Sequence, residues 1–527
     1  GQSHLVKMAP KTELFSAALG ELVTRCISFL INKYFVTTGQ SKEEILQQLE
    51  RALLRVAMTI EEAEGRFITN QGMLRQLSLM REDMYKGYYM LDKFRYLGRG
   101  DWKDNDHNGS RSLTPSVTIP GKLTPFSGSS IHGKKELKQM LDCIQSVVSD
   151  MREFVTFLRN YPPMFRQPYS MDLLLEKCML FRHKEMEQTI RFLLHRESTS
   201  AHDLGVLPII GKGKVGKSTF VEHVGCDERV RDHFSQIVLF SGNKIIEDEE
   251  VRALKDGGIF KHNNSCQSEG KMLVIIELDG DVDEGSWKRL FSASQSCLPR
   301  GSKIIITSRS ENIKEFGTTH ALRLDFLPRE ACWYFFKVLV FGSTCPEDQP
   351  KMASLAMEIF EEYYSHNEAF SDFSGSFANS KNIASLLKAD VSTLHWRKIL
   401  AGVKETVKNN RLTFSHNQLD TRVEKRQFVI SRISSVSFPS KKKSSVSQYF
   451  LVEERHRVAF ADDEIPKINL DEVMLGSITP QGKFEVVWWR SHLPPYYSYI
   501  ATCEIRDSRC MRERKSCTMS KKRKNLS

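Results

Sequence analysis

Several features are missing from this 527-residue sequence, and each absence narrows the class of protein. The sequence has no run of about 18 apolar residues, the length that a membrane-spanning helix needs. Its eleven cysteines stand singly, without a Cys-x-x-Cys pair, which argues against a zinc site and against a secreted disulfide scaffold. The stretch 14–30 is interrupted by Glu21 and Arg25, so we expect no signal peptide. A reducing compartment fits these absences best.

The composition is that of an ordinary globular protein, with 40% hydrophobic and 27% charged residues. A chain of this length is expected to form two to four domains. The net charge of +11 is uneven, because residues 506–527 carry nine Lys or Arg against two acids. A basic tail favours solvation or a localisation signal over a nucleic-acid surface. We therefore predict a cytoplasmic protein, with nuclear import through the tail as the alternative, and we expect no nucleic-acid partner.

The first part of the chain has helical periodicity. Ser41 and Glu44 form a capping-box pattern before apolar residues that recur every three or four positions. We predict a helical, coiled-coil-like domain over residues 8–97, a flexible Gly- and Pro-rich linker over 98–133, and a further helical segment over 134–200. The apolar stripe from Leu137 to Leu158 is typical of a bundle packed on itself, with a coiled-coil seam for a partner as the alternative.

From residue 201 the pattern changes to short apolar runs that alternate with helix-length segments. This alternation predicts a parallel sheet with crossover helices. The predicted strands are Val206–Ile210, Ile237–Phe240, Met272–Leu278 and Lys303–Thr307. The predicted fold is an α/β P-loop NTPase domain, preceded by an N-terminal helical bundle and followed by a helical segment and a small strand-rich unit. The predicted ranges are 201–325 for the α/β domain, 326–400 for helices, 401–463 for a linker, 464–505 for the strand-rich unit and 506–527 for the basic tail.

The eight residues Gly211–Ser218 fit the pattern GxxxxGK[ST] in full, between an apolar strand and a segment that can start a helix. Glycines let the backbone wrap closely around a phosphate, so that successive N–H groups and the helix N-terminus point at anionic oxygens. Lys217 is expected to reach the β-phosphate and any γ-phosphate, and the Ser218 hydroxyl to bind Mg²⁺. The residues predicted to bind nucleotide here are Gly211, Gly213, Val215, Gly216, Lys217, Ser218 and Thr219.

Acidic and basic residues at the ends of other strands complete the predicted site. Glu277, at the end of an apolar strand, can hold Mg²⁺ directly or through water, with a purely structural carboxylate as the alternative. Hydrolysis usually needs a further group that orients water, and the next residue is Leu278, which cannot do so. Asp279 is a weak candidate for that catalytic role. Arg309 follows the last predicted strand and is expected to face the nucleotide, unless it forms a surface ion pair.

Together these residues resemble the NB-ARC domain of plant intracellular immune receptors, the NLR proteins. The most specific string is Gly301–Arg309, followed by Leu327–Trp333, and the N-terminal region 11–97 is similar to the receptors' coiled-coil domain. The resemblance implies bound ADP or ATP with Mg²⁺, and protein partners through the N-terminal helices, either other NLR-type proteins or a second copy. It also implies that Phe181 and Arg182 line the adenine pocket. Of the acidic cluster usual in the coiled-coil domain, Asp92 is retained.

The sequence also departs from that family. It has no Gly-Leu-Pro-Leu motif after residue 345, although Phe373–Phe377 lies near its place, no Met-His-Asp motif, and no leucine-rich repeats. We expect the missing parts to be absent or replaced by residues 400–527. The motif around Phe484–Trp489 and Pro494–Tyr497 resembles extensions of grass NB-ARC-like proteins. The leading hypothesis is a nucleotide-gated switch in plant defence, with weak or absent hydrolysis. The alternatives are an active ATPase that uses Asp279, and a degenerate helper or decoy that pairs with full-length receptors.

Overall fold

The computed structural model describes residues 41–97, 130–163, 182–195, 204–241, 261–263, 270–278, 281–342, 344–365, 377–414, 428–433, 448–458, 468–490 and 498–507. Over these ranges, the helices are all too short or too polar to cross a membrane. The chain divides into two compact units, Gly1–Arg66 with Asp104–Pro162, and Phe67–Lys103 with Pro163–Ser527. The predicted linker (up to residue 129), Phe181, Asp279 and the basic tail from residue 508 lie outside the described residues.

The described helices are, in chain order, α1 (Lys42–Glu64), α2 (Gln71–Tyr96), α3 (Ser130–Leu158), α4 (His183–Leu194), α5 (Lys217–Cys226), α6 (Glu228–His233), α7 (Glu284–Cys297), α8 (Arg329–Phe341), α9 (Pro350–Ser365), α10 (Phe377–Lys388), α11 (Thr393–Phe414) and α12 (Leu470–Leu475). The strands are β1 (Gly205–Ile210), β2 (Gln236–Ser241), β3 (Lys261–Asn263), β4 (Met272–Glu277), β5 (Lys303–Ser308), β6 (Leu322–Arg323), β7 (Phe428–Ser431), β8 (Gln448–Val458), β9 (Lys483–Arg490) and β10 (Ser498–Asp507). Short 3-10 turns cover Glu311–Phe316 and Pro346–Asp348.

The first unit is built on α1 and α3, which pack against each other. The predicted capping box starts α1, because the Ser41 hydroxyl accepts from the Glu44 N–H and the Glu44 carboxylate accepts from the Ser41 N–H. The apolar stripe of each helix is buried, with Leu49 and Leu53 on α1 and Leu137 and Ile144 on α3 among its members. This packing favours the intramolecular bundle over a partner seam for these two faces.

The second unit contains a six-stranded sheet in the order β3-β2-β4-β5-β1-β6. Its last five strands are parallel, and β3 pairs antiparallel with β2 at one edge. The register places Ile210 opposite Ser308 and Glu277 opposite Thr307. The carboxyl ends of β1, β4 and β5 therefore meet at one edge of the sheet, which confirms the predicted parallel α/β domain and sets the place of its site.

Both faces of this sheet are covered, as its almost continuous apolar strands require. One face packs α4, α5 and α6 through a buried cluster that includes Leu193, Phe220 and Phe234. The other face packs α7 and the turn at Glu311–Phe316 through a second cluster, in which the rings of Trp287 and Phe316 stack with their centroids 5.2 Å apart.

Beyond the sheet, α8 to α11 form the predicted helical segment, and α2 packs on α8 and α9 of the same unit. The second helix of the range predicted as one N-terminal domain thus shares a unit with the nucleotide-binding region, whereas α1 does not. Sequence periodicity identified both helices correctly, but it does not indicate which helix each apolar face packs against.

The chain ends in a four-stranded antiparallel sheet in the order β7-β8-β10-β9, covered by α12. In β9, Val486 and Trp488 are buried in the core of this sheet, and Val487 between them is buried as well. The sheet also takes β7 and β8 from the range predicted as a linker. β8 carries the charged run 453–457, and the Lys- and Ser-rich stretch before it is typical of a loop, so the pattern favoured irregular structure there.

Candidate functional site

The loop Gly211–Ser218 leaves the carboxyl end of β1 and leads directly into α5, as its motif predicts. Gly216 caps the helix with a φ of +93°, a left-handed conformation that glycine adopts without strain. At Gly211, a Cβ atom would stand 2.5 Å from the backbone oxygen of Leu324, so that only glycine fits there without a shift of the backbone. These two glycines hold the loop folded over the N-terminus of α5, where free N–H groups can bind an anion.

Arg309 lies over this loop from the end of β5. A Cβ atom added to Gly213 would be 3.4 Å from the Arg309 Nε atom, an ordinary contact distance. The guanidinium therefore stands beside the phosphate-binding backbone, where the sequence expected a nucleotide-facing arginine. The prediction that it contacts nucleotide stays a prediction.

Lys217 lies at the first turn of α5 with its ammonium folded over the loop. Its Nζ atom donates to the backbone oxygens of Gly211 at 2.6 Å and Lys212 at 2.9 Å. Burial and, to a smaller extent, the nearby charge of Arg309 lower the pKa of Lys217 to about 8, against the opposing effect of the Glu277 carboxylate. Two cations held this close in a partly buried site repel each other, and an anion placed between them would relieve that repulsion.

Glu277 ends β4 and is buried, with only 4% of its surface exposed. Its charge acts on Lys217, which places the carboxylate within electrostatic reach of the loop. The Leu278 side chain that follows is buried in the apolar core of the sheet, and its N–H donates to the Thr307 oxygen. Leu278 is thus committed to packing and cannot orient a water molecule. Asp279 lies outside the described residues.

The donor set fits a magnesium ion bound together with nucleotide phosphates. Ser218 and Glu277 supply oxygen atoms at the carboxyl edge of the sheet, and Mg²⁺ is usually held by one or two protein oxygens plus phosphates and water. The described residues contain no cluster of three or more His, Cys, Asp or Glu that would bind a metal by itself. Ser218 and Glu277 would hold the ion, which would supply charge neutralisation at the phosphates.

Arg182 precedes α4, and its side chain is buried rather than exposed to solvent. Its guanidinium donates to the Asp325 backbone oxygen and contacts the Glu185 carboxylate at 3.3 Å. Burial, together with the positive charges of Arg81 and Arg229, lowers the pKa of the neighbouring His183 to about 3. The side chain of Arg182 joins α4 to the chain after β6, and its role at an adenine pocket stays a prediction.

Sequence reasoning missed Phe377 as a neighbour of the phosphate-binding loop. A Cβ atom at Gly216 would be 3.6 Å from the Phe377 ring, which also meets the Phe335 ring edge-on at 5.3 Å. The first residue of α10 thus contacts both the loop and α8. The motif around Phe373–Phe377 marks the right neighbourhood, but its spacing gives no distance to Gly216.

The shifted pKa of Lys217 predicts a pH dependence of ADP binding. Phosphate binding favours the charged ammonium, and the free protein loses that charge as the pH rises through about 8. Below this pKa the affinity is fully present, and above it the protein must take up a proton to bind. We expect the affinity for ADP to fall about tenfold between pH 7 and pH 9, as measured by titration calorimetry.

A Lys217→Arg variant is the control for this pH dependence, because a guanidinium stays charged over the whole range. Its ADP affinity, whatever its absolute value, is expected to change by less than about twofold between pH 7 and pH 9. A parent protein whose affinity is equally flat would contradict the assignment of Lys217 to the phosphate.

Comparison with curated proteins finds plant disease resistance proteins. The chain is 21% identical over 354 residues to the disease resistance protein RGA2 of Solanum bulbocastanum, covering 64% of this chain and 34% of that protein. It is 21% identical over 410 residues to the disease resistance RPP13-like protein 1 of Arabidopsis thaliana, covering 74% of this chain and 37% of that protein. These relatives confirm the predicted resemblance to NLR-type proteins, and the chain spans about a third of their length.

No protein-family model matches the chain. Among solved structures, PCH-2 of C. elegans is 11% identical with a TM-score of 0.29 and covers 44% of this chain and 69% of that one. Domain III of the replication initiation protein DnaA from Thermotoga maritima is 11% identical with a TM-score of 0.22 and covers 48% and 94%. These likenesses are too distant to carry an argument about function.

Proposed function

We propose, from the similarity of the chain to plant disease resistance proteins, that it binds ADP or ATP with Mg²⁺ and acts as a nucleotide-dependent switch in plant defence signalling. The observation that carries the proposal is the pair of cations, Lys217 and Arg309, beside a glycine-shaped loop at the N-terminus of α5. A diphosphate satisfies this arrangement, because it supplies the negative charge that both side chains and the loop amides attract.

The contact of Phe377 with Gly216 supports the switch. The Phe377 ring, on the first residue of α10, lies beside Gly216 of the phosphate-binding loop and meets Phe335 of α8. A γ-phosphate would sit near Arg309 and the loop, so exchange of ADP for ATP would change the surface on which α10 rests. Nucleotide state then biases the position of the helical segment, which is the usual way in which a γ-phosphate acts at a distance.

The environment of Leu278 favours slow turnover. A P-loop ATPase needs a group that orients the attacking water, and at the position after Glu277 the chain places a buried apolar side chain. Binding without efficient hydrolysis is the behaviour of a switch that holds one nucleotide for long periods.

The proposal is tested by identifying the nucleotide that the purified protein releases on denaturation, and by following phosphate release from added ATP. We expect stoichiometric adenine nucleotide and a turnover below about 10⁻³ s⁻¹, the range of a P-loop GTPase without its activating partner. Faster release that disappears in Asp279→Asn would instead support the active ATPase. Recovery of no adenine nucleotide, together with no binding of added ADP and Mg²⁺, would overturn the proposal.

The N-terminal helices are the part of this proposal that concerns protein partners. On α1, Leu54 and Met58 are 52% and 70% exposed and lie one turn apart, so they form an apolar strip beside the buried face. We assign to this strip the contact with other NLR-type proteins or with a second copy of the chain. The cytoplasm, with the nucleus as the alternative, is the proposed location.

A further inference from the structure

A cavity of about 120 Å³ lies in the second unit between the helical segment and the C-terminal sheet. Its walls come from α10 and α11 on one side and from β7, β9 and α12 on the other. The wall is mostly apolar, with Leu386, Val403, Ile430, Met474 and Trp488 among its residues. A volume of this order is enough for one aromatic ring, since a cavity of about 150 Å³ lined by aliphatic side chains admits benzene.

Polar side chains interrupt this apolar wall at Tyr363 on α9, Asn379 and Asn382 on α10, Thr406 on α11 and Ser431 on β7. Asn379 and Asn382 lie three residues apart and thus on one face of the helix. In the part of the chain that the structure describes, the Asn382 Nδ2 atom and the Ser431 hydroxyl are buried and have no hydrogen-bond partner. The Asn379 Nδ2 atom is also buried without a partner at normal hydrogen-bond geometry, although it lies near the Tyr363 hydroxyl and opposes the rise that burial causes in the pKa of that phenol. Asn379 and Ser431 are only 7% and 2% exposed. Buried donors without acceptors are costly, and here they face a space that can hold an acceptor.

The charge of the lining sets a further limit on the ligand. Among the residues that line the cavity in the described part of the chain, there is no Asp, Glu, Lys, Arg or His. A carboxylate or ammonium placed there would lose its hydration without gaining a counter-charge, which is strongly unfavourable. The chemistry therefore selects a neutral molecule with an apolar body and an acceptor oxygen.

We propose that this cavity binds a small neutral carbonyl compound, with one ring or a short chain in the apolar part and its carbonyl oxygen on the amides of Asn379 and Asn382. A carbonyl oxygen has two lone pairs, so a single atom can accept from both Nδ2 groups. Such a ligand bridges α10 and α11 to the C-terminal sheet and stabilises their contact. The site is separate from the phosphate-binding loop, and the proposal does not rest on the proposed function.

The first test compares three probes of similar size on the full chain by ligand-detected NMR, with Trp488 fluorescence as a second readout. Acetophenone carries the carbonyl, ethylbenzene has the same ring and nearly the same shape without it, and benzoate carries a charge. We expect acetophenone to bind about tenfold more tightly than ethylbenzene, and benzoate to show no saturable binding. Equal affinity for acetophenone and ethylbenzene, or no saturable binding of either, would overturn the proposal.

The second test uses variants of the lining. Asn382→Leu keeps the size of the side chain but removes the donor, so acetophenone affinity is expected to fall about tenfold while ethylbenzene affinity is kept or rises. Hydrogen-exchange protection of the amides in α10 is expected to stay equal or to increase in this variant, because an unpartnered amide has been removed. Lower protection in α10 with unchanged acetophenone affinity would assign Asn382 a structural role and contradict the proposal. Val403→Phe, which fills the space, is expected to abolish the binding of both neutral probes.

Discussion

Replacing Lys217 with alanine is expected to weaken the binding of ADP by a factor of about 100 to 1,000, because loss of one partner of a desolvated charge pair costs about 3–4 kcal/mol. The ammonium is held over the loop by the backbone oxygens of Gly211 and Lys212, so its position is set before any nucleotide arrives. Its removal leaves Arg309 and the exposed side chains of Lys212 and Lys214 as the cations near the loop. Titration calorimetry with ADP and Mg²⁺ measures the effect.

Lys212→Ala is the matched control. It removes the same charge from the same loop, but the Lys212 side chain is exposed, and only its backbone oxygen contacts Lys217. We expect a loss of affinity of less than about threefold, the value of a solvent-screened interaction. Equal losses in the two variants would show that net charge rather than the position of Lys217 governs binding. ADP affinity in Lys217→Ala equal to that of the parent would remove the basis of the proposed function.

Much of the α/β domain could be predicted from the sequence. The four predicted strands coincide with β1, β2, β4 and β5 to within one residue at each end, because strands buried on both faces leave apolar runs that stand out between polar helices. The conformation of the loop Gly211–Ser218 between β1 and α5 could be predicted for a related reason. Its glycines are dictated by local geometry, at Gly211 by the nearby backbone of Leu324 and at Gly216 by its positive φ.

Contacts made over long sequence distances could not be predicted. Arg182 donates to an oxygen 143 residues further along the chain, and the ring of Phe377 reaches Gly216 across the helical segment. No periodicity encodes such contacts. The edge strand β3 and the long strand β8 were missed for a different reason. β3 has only three residues and lies at the edge of its sheet, and β8 carries the charged run 453–457, so both sequences resemble those of loops.

For Asp92, the sequence indicates that the residue matters, and the structure identifies its partners. The sequence identifies it as the retained acid of a cluster, without a partner. In the structure its carboxylate is 1% exposed, and its Oδ2 atom accepts from the Trp333 indole at 2.8 Å and from the Lys337 ammonium at 2.7 Å. Lys337 also lies 5.0 Å from the centre of the Tyr88 ring. Asp92 therefore joins α2 to the first helix of the segment that follows the nucleotide-binding sheet.

Asp92→Ala is expected to destabilise this junction by about 3–5 kcal/mol, because it leaves a partly buried ammonium and a buried indole N–H without their acceptor. Since the chain has two units, a single global unfolding energy is not the right measure. Amide hydrogen exchange resolves the local effect. Protection of the amides in α2 is expected to fall by about 100-fold or more, whereas protection in α1, which belongs to the other unit, is expected to stay unchanged.

Two further substitutions separate the buried pair from a general effect of charge on α2. Asp83→Ala removes an acid whose carboxylate lies 3.6 Å from Lys86 on the same helix, a half-exposed pair, and is expected to lower protection less than threefold, in the range of about 0.5 kcal/mol. Asp92→Asn keeps an acceptor for the Trp333 indole but loses the charge opposite Lys337, so its effect is expected to fall between the two. Protection in Asp92→Ala equal to that in Asp83→Ala would mean that α2 is held by its apolar face alone. The order Asp92→Ala, Asp92→Asn, Asp83→Ala, from the largest loss of protection to the smallest, would instead identify the charge of Asp92 as the interaction that fixes α2 on α8.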